Sequence, residues 1–167
     1  MKCRGAVLVF VLVVLVAIWH GCSKQAPVKS ISDDFKITNL VFCSEAPEDY
    51  MKYIEQPNAT YKPGDVVWIY MNLNNVKYKQ NLDSSYEIFI PEHLLVKGPD
   101  GEILLDGDLL TEPITFSKER DMNQVYLTNN INTSAELKDG EYTVNITVAD
   151  RLSNKTASIN TQFYLKK

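Results

Sequence analysis

The sequence predicts an all-β domain, a sandwich of two antiparallel sheets with seven to nine strands, behind a short apolar leader. Three observations carry that expectation. The C-terminal stretch alternates apolar and polar side chains over two successive runs. Turn-forming Gly and Asp punctuate the chain at short intervals. After the leader, no window of eleven residues keeps a helical stripe.

Lys2 and Arg4 precede residues 6–19, a run of fourteen residues without a charge. This is the basic start and apolar centre of a signal segment. At ~1.5 Å per residue the run reaches about 21 Å, short of the roughly 30 Å hydrocarbon layer, so a spanning helix is the weaker expectation. Directly after it, Trp19-His20-Gly21-Cys22 resembles the lipobox of prokaryotic lipoproteins; Gly21 and Cys22 match that pattern, whereas Trp19 and His20 depart from it. The resemblance implies a signal peptide over residues 1–21, lipidation of Cys22, and a domain tied to the cell membrane on its extracytoplasmic side. Two lipid chains hold stably where one does not. Residues 22–34 are polar, contain one Pro and lack any period, as a tether would.

Loss of the leader removes Cys3 and leaves Cys22 and Cys43. If Cys22 carries lipid, Cys43 is a single thiol that needs burial; if not, a Cys22 to Cys43 disulfide is open.

Residues 35–167 form the predicted domain. The clearest strand covers 141–150, where Tyr142, Val144, Ile146 and Val148 alternate with Thr143, Asn145, Thr147 and Ala149. Residues 156–165 repeat the pattern, and Arg151 to Lys155 supply a turn, so the two make a hairpin. Asn145, Thr143 and Thr147 share one face, which is expected to be wet. Earlier strands are expected at 35–43, 66–74, 86–90, 94–97, 102–105, 114–117 and 124–128. The run 66–71 is apolar on both faces, as a covered central strand would be. Residues 45–54 have room for one or two helical turns. Gly64-Asp65, Pro99-Asp100-Gly101 and Asp139-Gly140 are turn signals.

Leu137-Lys138-Asp139-Gly140-Glu141-Tyr142 resembles the Leu-x-x-Gly-x-Tyr corner of immunoglobulin-like and fibronectin type III domains, where the tyrosine hydroxyl bonds back to upstream backbone. Tyr61 to Val67, Gly98 to Ile103 and Phe163-Tyr164-Leu165 are similar, in this order, to macroglobulin-type immunoglobulin-like domains of envelope proteins. The resemblance covers residues 61–165 and implies an immunoglobulin-like sandwich. The thioester motif Cys-Gly-Glu-Gln of large macroglobulins is missing from the sequence, so covalent trapping is not implied.

The chain carries a formal charge of −4, and removal of Lys2 and Arg4 with the leader gives −6. That balance argues against nucleic acid as a partner. His93 is the one histidine beyond the leader, flanked by Pro91-Glu92 and Leu94-Leu95, and reads as a surface or strand-edge residue. The sequence holds no Gly-x-Ser-x-Gly elbow, phosphate-cradling loop or His-Glu-x-x-His pair, so the expectation is a non-catalytic protein without cofactor. Asp100, Glu102, Asp106 and Asp108 lie within nine residues and form a weak calcium candidate, against the stronger reading that Asp100-Gly101 and Asp106-Gly107 are hairpin turns. Sequons at Asn58, Asn132, Asn145 and Asn154 are candidate glycosylation positions. Trp68 and Tyr70 share a strand face; such a pair stacks sugars or grips a peptide, and more often fills a sandwich core, which is the favoured expectation. Tyr50 and Tyr53 lie in the loop at 45–60, and these four aromatics are the candidate ligand contacts. The function expected is a cell-surface lipoprotein acting as a binding or adhesion module for a protein or glycan. The alternative is an accessory or inhibitory subunit that docks onto an exported enzyme or transporter by a sheet edge or by that loop.

Overall fold

The computed structural model describes residues 34–117 and 124–167. The expectations for the leader, for Cys22 and for all but the last residue of the tether lie outside the described residues. Within them the chain forms eleven strands: β1 Lys36–Cys43, β2 Thr60–Tyr61, β3 Val66–Asn74, β4 Lys79–Gln80, β5 Tyr86–Ile88, β6 Glu92–Lys97, β7 Ile103–Asp108, β8 Ile114–Phe116, β9 Val125–Asn132, β10 Gly140–Asp150 and β11 Lys155–Leu165. They assemble into a three-stranded sheet β1-β3-β9, a five-stranded sheet β2-β11-β10-β6-β7 and a small sheet β4-β5-β8.

The all-β expectation therefore holds, with more strands and one more sheet than the sequence suggested. The added strands, β2 and β4, are of two residues each, too short to show a period. The expected helical turns within 45–54 are replaced by extended chain and a tight turn. The strand expected to end at residue 128 continues to Asn132 as β9.

The hairpin of β10 and β11 pairs in unbroken register from Gly140↔Leu165 to Asp150↔Lys155. Asp150 is fully buried and fixes its turn: its carboxylate accepts the backbone N–H of Leu152 at 3.0 Å and of Lys77 at 2.9 Å, and the Ser153 hydroxyl at 2.7 Å. At the other end the Tyr142 hydroxyl donates to the carbonyl of Lys138 at 2.8 Å, the bond expected of the tyrosine corner. Gly140 has φ +147°, and a Cβ there would lie 2.7 Å from the Pro99 ring; glycine lets the β6–β7 turn close onto the start of β10.

One core joins the two larger sheets. From the three-stranded sheet come Phe42, Val67, Ile69, Met71, Leu73, Leu127 and Ile131. From the five-stranded sheet come Leu94, Val96, Tyr142, Val144, Ile146, Val148, Phe163 and Leu165. Tyr142 and Phe163 stack at 5.2 Å between ring centres. Each aliphatic side chain so buried contributes about 1.5–3 kcal/mol relative to exposure, which is why alternation in sequence becomes layering in space.

Candidate functional site

The site begins at β3. Val67, Ile69, Met71 and Leu73 point into the core, so Trp68, Tyr70 and Asn72 must point out of the other side. Trp68 and Tyr70 share a face, as read, and Tyr70 is buried as expected, but the face is the one turned away from the core between the sheets. Trp68 is half-buried there, and Tyr70 is fully buried beneath the segment that follows β1.

That segment folds back as a hairpin over the sheet. Ser44 N–H donates to the Ile54 carbonyl at 2.9 Å, and Gln56 N–H donates to the Phe42 carbonyl at 2.8 Å. Its tip brings Met51 N–H to the Tyr70 hydroxyl at 2.9 Å, and that hydroxyl donates to Asn72 Oδ1 at 2.5 Å. Asn72 Nδ2 lies 3.3 Å from the Met51 sulfur, and Asn39 Nδ2 donates to the Tyr53 hydroxyl at 3.2 Å. The polar groups of Tyr70 and Asn72 are thus paired as they leave water, which removes the penalty of burying them. Burial also raises the Tyr70 pKa, so the phenol stays a donor at neutral pH.

Four rings line up along this face. Tyr53 lies 4.7 Å from Tyr70, Tyr70 stacks on Tyr126 at 5.5 Å and 22°, and Tyr126 lies 6.4 Å from Tyr50. Tyr126, on β9 opposite Asn72, was not among the sequence candidates. The only sequence signal for it was the parity of β9, and a lone Tyr at a strand's start carries no mark of its partners. Beyond the last two rings opens a cleft of about 630 Å³. Tyr50, Tyr126 and Asp49 line it together with Ile114, Thr115 and Phe116 of β8, and Ile88, Ile90 and Leu127 add apolar surface. Asp49 Oδ1 accepts the Tyr50 N–H at 2.7 Å and faces the Tyr126 hydroxyl at 3.4 Å. Such a cleft offers ring faces, apolar contact and hydrogen-bonding groups.

The remaining candidates fall elsewhere. Cys43 lies on β1 opposite Trp68, fully buried and not disulfide-bonded; its thiol rests 3.6 Å from the Val41 carbonyl. Burial pushes its pKa up to about 11, so it is neither thiolate nor accessible. His93 is held on the outer face of the five-stranded sheet, with Nδ1 2.9 Å from Asp108 and Nε2 3.1 Å from Asp106.

The four acids of the calcium candidate do not converge, which corrects that reading. Asp100 pairs with Lys138, Glu102 accepts the Asp100 N–H at 3.1 Å, and Asp106 and Asp108 belong to His93. Glu102 and Asp106 are four steps apart along an extended chain, roughly 13 Å at ~3.3 Å per step, too far to share an ion. No group of three or more His, Cys, Asp or Glu side chains suited to a metal occurs among the described residues. Of the sequon residues, Asn58, Asn132 and Asn154 are exposed, whereas Asn145 donates to Asn160 Oδ1 at 2.7 Å on the wet face.

No family model matches the chain, and no curated protein matches it by sequence. Solved structures are similar to it over about four fifths of its length. A β-glucuronidase of Bacteroides uniformis is similar at TM-score 0.47 and 12% identity over 79% of this chain, which spans only 14% of the enzyme. The C-terminal domain of Wzt is similar at TM-score 0.42 and 12% identity, over 80% of this chain and 74% of that one. Spo0M, a sporulation control protein of Bacillus subtilis, is similar at TM-score 0.37 and 10% identity, over 80% of this chain and 50% of its own. The chain is an all-β protein with β-sandwich-like neighbours, and these likenesses assign it no activity.

Proposed function

We propose that this chain is a lipid-anchored, non-catalytic binding module of the cell envelope. Its immunoglobulin-like sandwich would stand outside the membrane on a tether from Cys22 and take a protein or glycan at the tyrosine cleft. The observation that carries this reading is the opening beside Tyr50 and Tyr126, two partly exposed rings backed by apolar surface and Asp49. The bond from Tyr142 to Lys138 supports the immunoglobulin-like part, since that corner is a habit of those sandwiches. The sealed Cys43 thiol supports the anchor, because it makes no claim on Cys22.

A glycan and peptide array probed with the full chain in detergent tests the cleft. Tyr50→Ala and Tyr126→Ala are each expected to weaken the captured ligand at least tenfold, with unchanged circular dichroism. Binding indifferent to both substitutions overturns the reading. Cys22→Ser tests the anchor: metabolic labelling with a lipid analogue should be lost, and labelling that persists removes Cys22 from the account.

A second reading has its own observation. Met51 and Ile54 on the folded-back hairpin are 49% and 58% exposed, an apolar tip that suits docking onto an exported enzyme or transporter. Cross-linking in intact membranes would separate the two, because a stoichiometric enzyme or transporter partner lost in Met51→Glu favours the accessory role.

A further inference from the structure

We propose that the edge of β7, unpaired among the described residues, accepts an added strand from a partner protein, an extended segment in which basic residues alternate with apolar ones. This edge belongs to the five-stranded sheet, and the inference does not depend on the tyrosine cleft. At the opposite end of that sheet β2 is only two residues long, so β7, with six, is the end able to template a strand.

The hydrogen-bonding pattern says which backbone groups are on offer. Leu109 N–H donates to the Glu92 carbonyl at 2.8 Å, and the register pairs Leu94 with Gly107 and Val96 with Leu105. In an antiparallel ladder, hydrogen-bonded and non-bonded pairs alternate. Leu105, Gly107 and Leu109 therefore turn their backbone groups toward β6. Asp106 and Asp108 turn theirs away, and no named strand of the described residues pairs with them; the register shifts between Val96 and Lys97, so the alternation ends before Leu104.

Side chains along the edge select the chemistry of the guest. Asp106 and Asp108 stand on the outer face beside His93, and Glu102 precedes the strand. One histidine between two carboxylates leaves the row acidic in either protonation state. Ile103 and Leu104 are 60% and 39% exposed, and a Cβ built on Gly107 would meet nothing within 4 Å, so the edge has apolar contact and an open notch. A second copy of this chain is disfavoured. Antiparallel pairing of two β7 edges about Leu105 sets Asp108 opposite Glu102, and pairing about Asp106 sets that residue against itself; like charges directly opposed are destabilising. The same rule favours lysine or arginine on alternate positions of the incoming strand, with apolar residues between them on the other face.

The test uses the full chain in detergent with two peptides of about seven residues, one alternating lysine and valine, the other glutamate and valine. Calorimetry should show binding of the lysine peptide alone, weakening as salt is added. Amide exchange should slow at Asp106 and Asp108. Asp108→Pro removes an outward N–H without touching the ladder to β6 and should weaken binding at least tenfold. Asp106→Lys should do the same through charge, and keeps the test decisive if the proline variant fails to fold. Equal binding of both peptides, absence of binding, or binding unaffected by both substitutions overturns the proposal. Protection of the same amides by concentration-dependent dimerisation, seen in sedimentation without peptide, assigns the edge to a second copy and overturns it too.

Discussion

On the outer face of the five-stranded sheet, Asn145 bonds Asn160 at 2.7 Å and Thr147 meets Ser158 at 2.9 Å, side chains that stand at or near water. On the outer face of the three-stranded sheet, Tyr70 and Asn72 are buried beneath a hairpin that the chain inserts between β1 and β2. Both faces come from the same alternation of side chains, and both back onto one core. A wet face asks only for side chains that water tolerates, whereas a covered face requires a partner for every polar atom it removes from solvent. The covered face therefore has specific geometry, and the cleft opens at its margin. The bare face has repetition without a focus.

The largest effect is expected where the cover is keyed in place. Tyr70→Ala removes a fully buried ring from between Tyr53 and Tyr126 and leaves the Met51 N–H without its acceptor. It should cost about 3–5 kcal/mol in urea unfolding followed by Trp68 fluorescence. A loss under about 1 kcal/mol would mean that the hairpin is an appendage, and the contrast between the two faces would lose its energetic content.

Glu92 tests whether both faces belong to one cooperative unit, because it lies between the layers. It is 2% exposed, and Asn129 of β9 donates to its Oε1 at 2.5 Å. Burial raises its pKa from about 4.5 to about 7, with the Asn129 bond opposing the shift. The native state thus keeps a proton that the unfolded chain releases. The resulting stabilisation is full below about pH 4.5 and is lost as pH rises through 7, a fall of about 3 kcal/mol at ~1.4 kcal/mol per unit. Denaturation at pH 5, 6 and 8 should show that slope equally in Trp68 fluorescence and in amide exchange of β10 and β11. Glu92→Gln should flatten it and stabilise the protein at pH 8. A slope seen by one probe alone would divide the faces into separate units.

The bare face was legible in the sequence and the covered one was not. Residues 141–165 alternate without interruption, so their pairing, their core side and their wet side follow from parity, and the tyrosine corner is spelled within six consecutive residues. For β3 the reading that both faces are covered was correct, yet two-sided burial erases the parity that says which side is core. That is why Trp68 and Tyr70 were expected inside. Tyr126 came into the site through β9 pairing with β3, a contact between distant parts of the chain that no local pattern announces. The acids near residue 100 misled in the opposite direction: close in sequence, they are held apart by the strand that joins Glu102 to Asp106.

Two smaller substitutions set the contrast at the level of single hydrogen bonds. Tyr70→Phe keeps the ring stack and removes only the hydroxyl that joins Met51 to Asn72, so about 1–2 kcal/mol should be lost. Asn160→Ala removes the acceptor for Asn145 Nδ2 on the wet face, where water takes its place at once, and should change stability by less than about 0.5 kcal/mol. Measured side by side in urea, the first loss should clearly exceed the second. If Asn160→Ala costs as much, the bare face carries a cooperative network of its own, and the site would then have to be sought on both sides of the molecule.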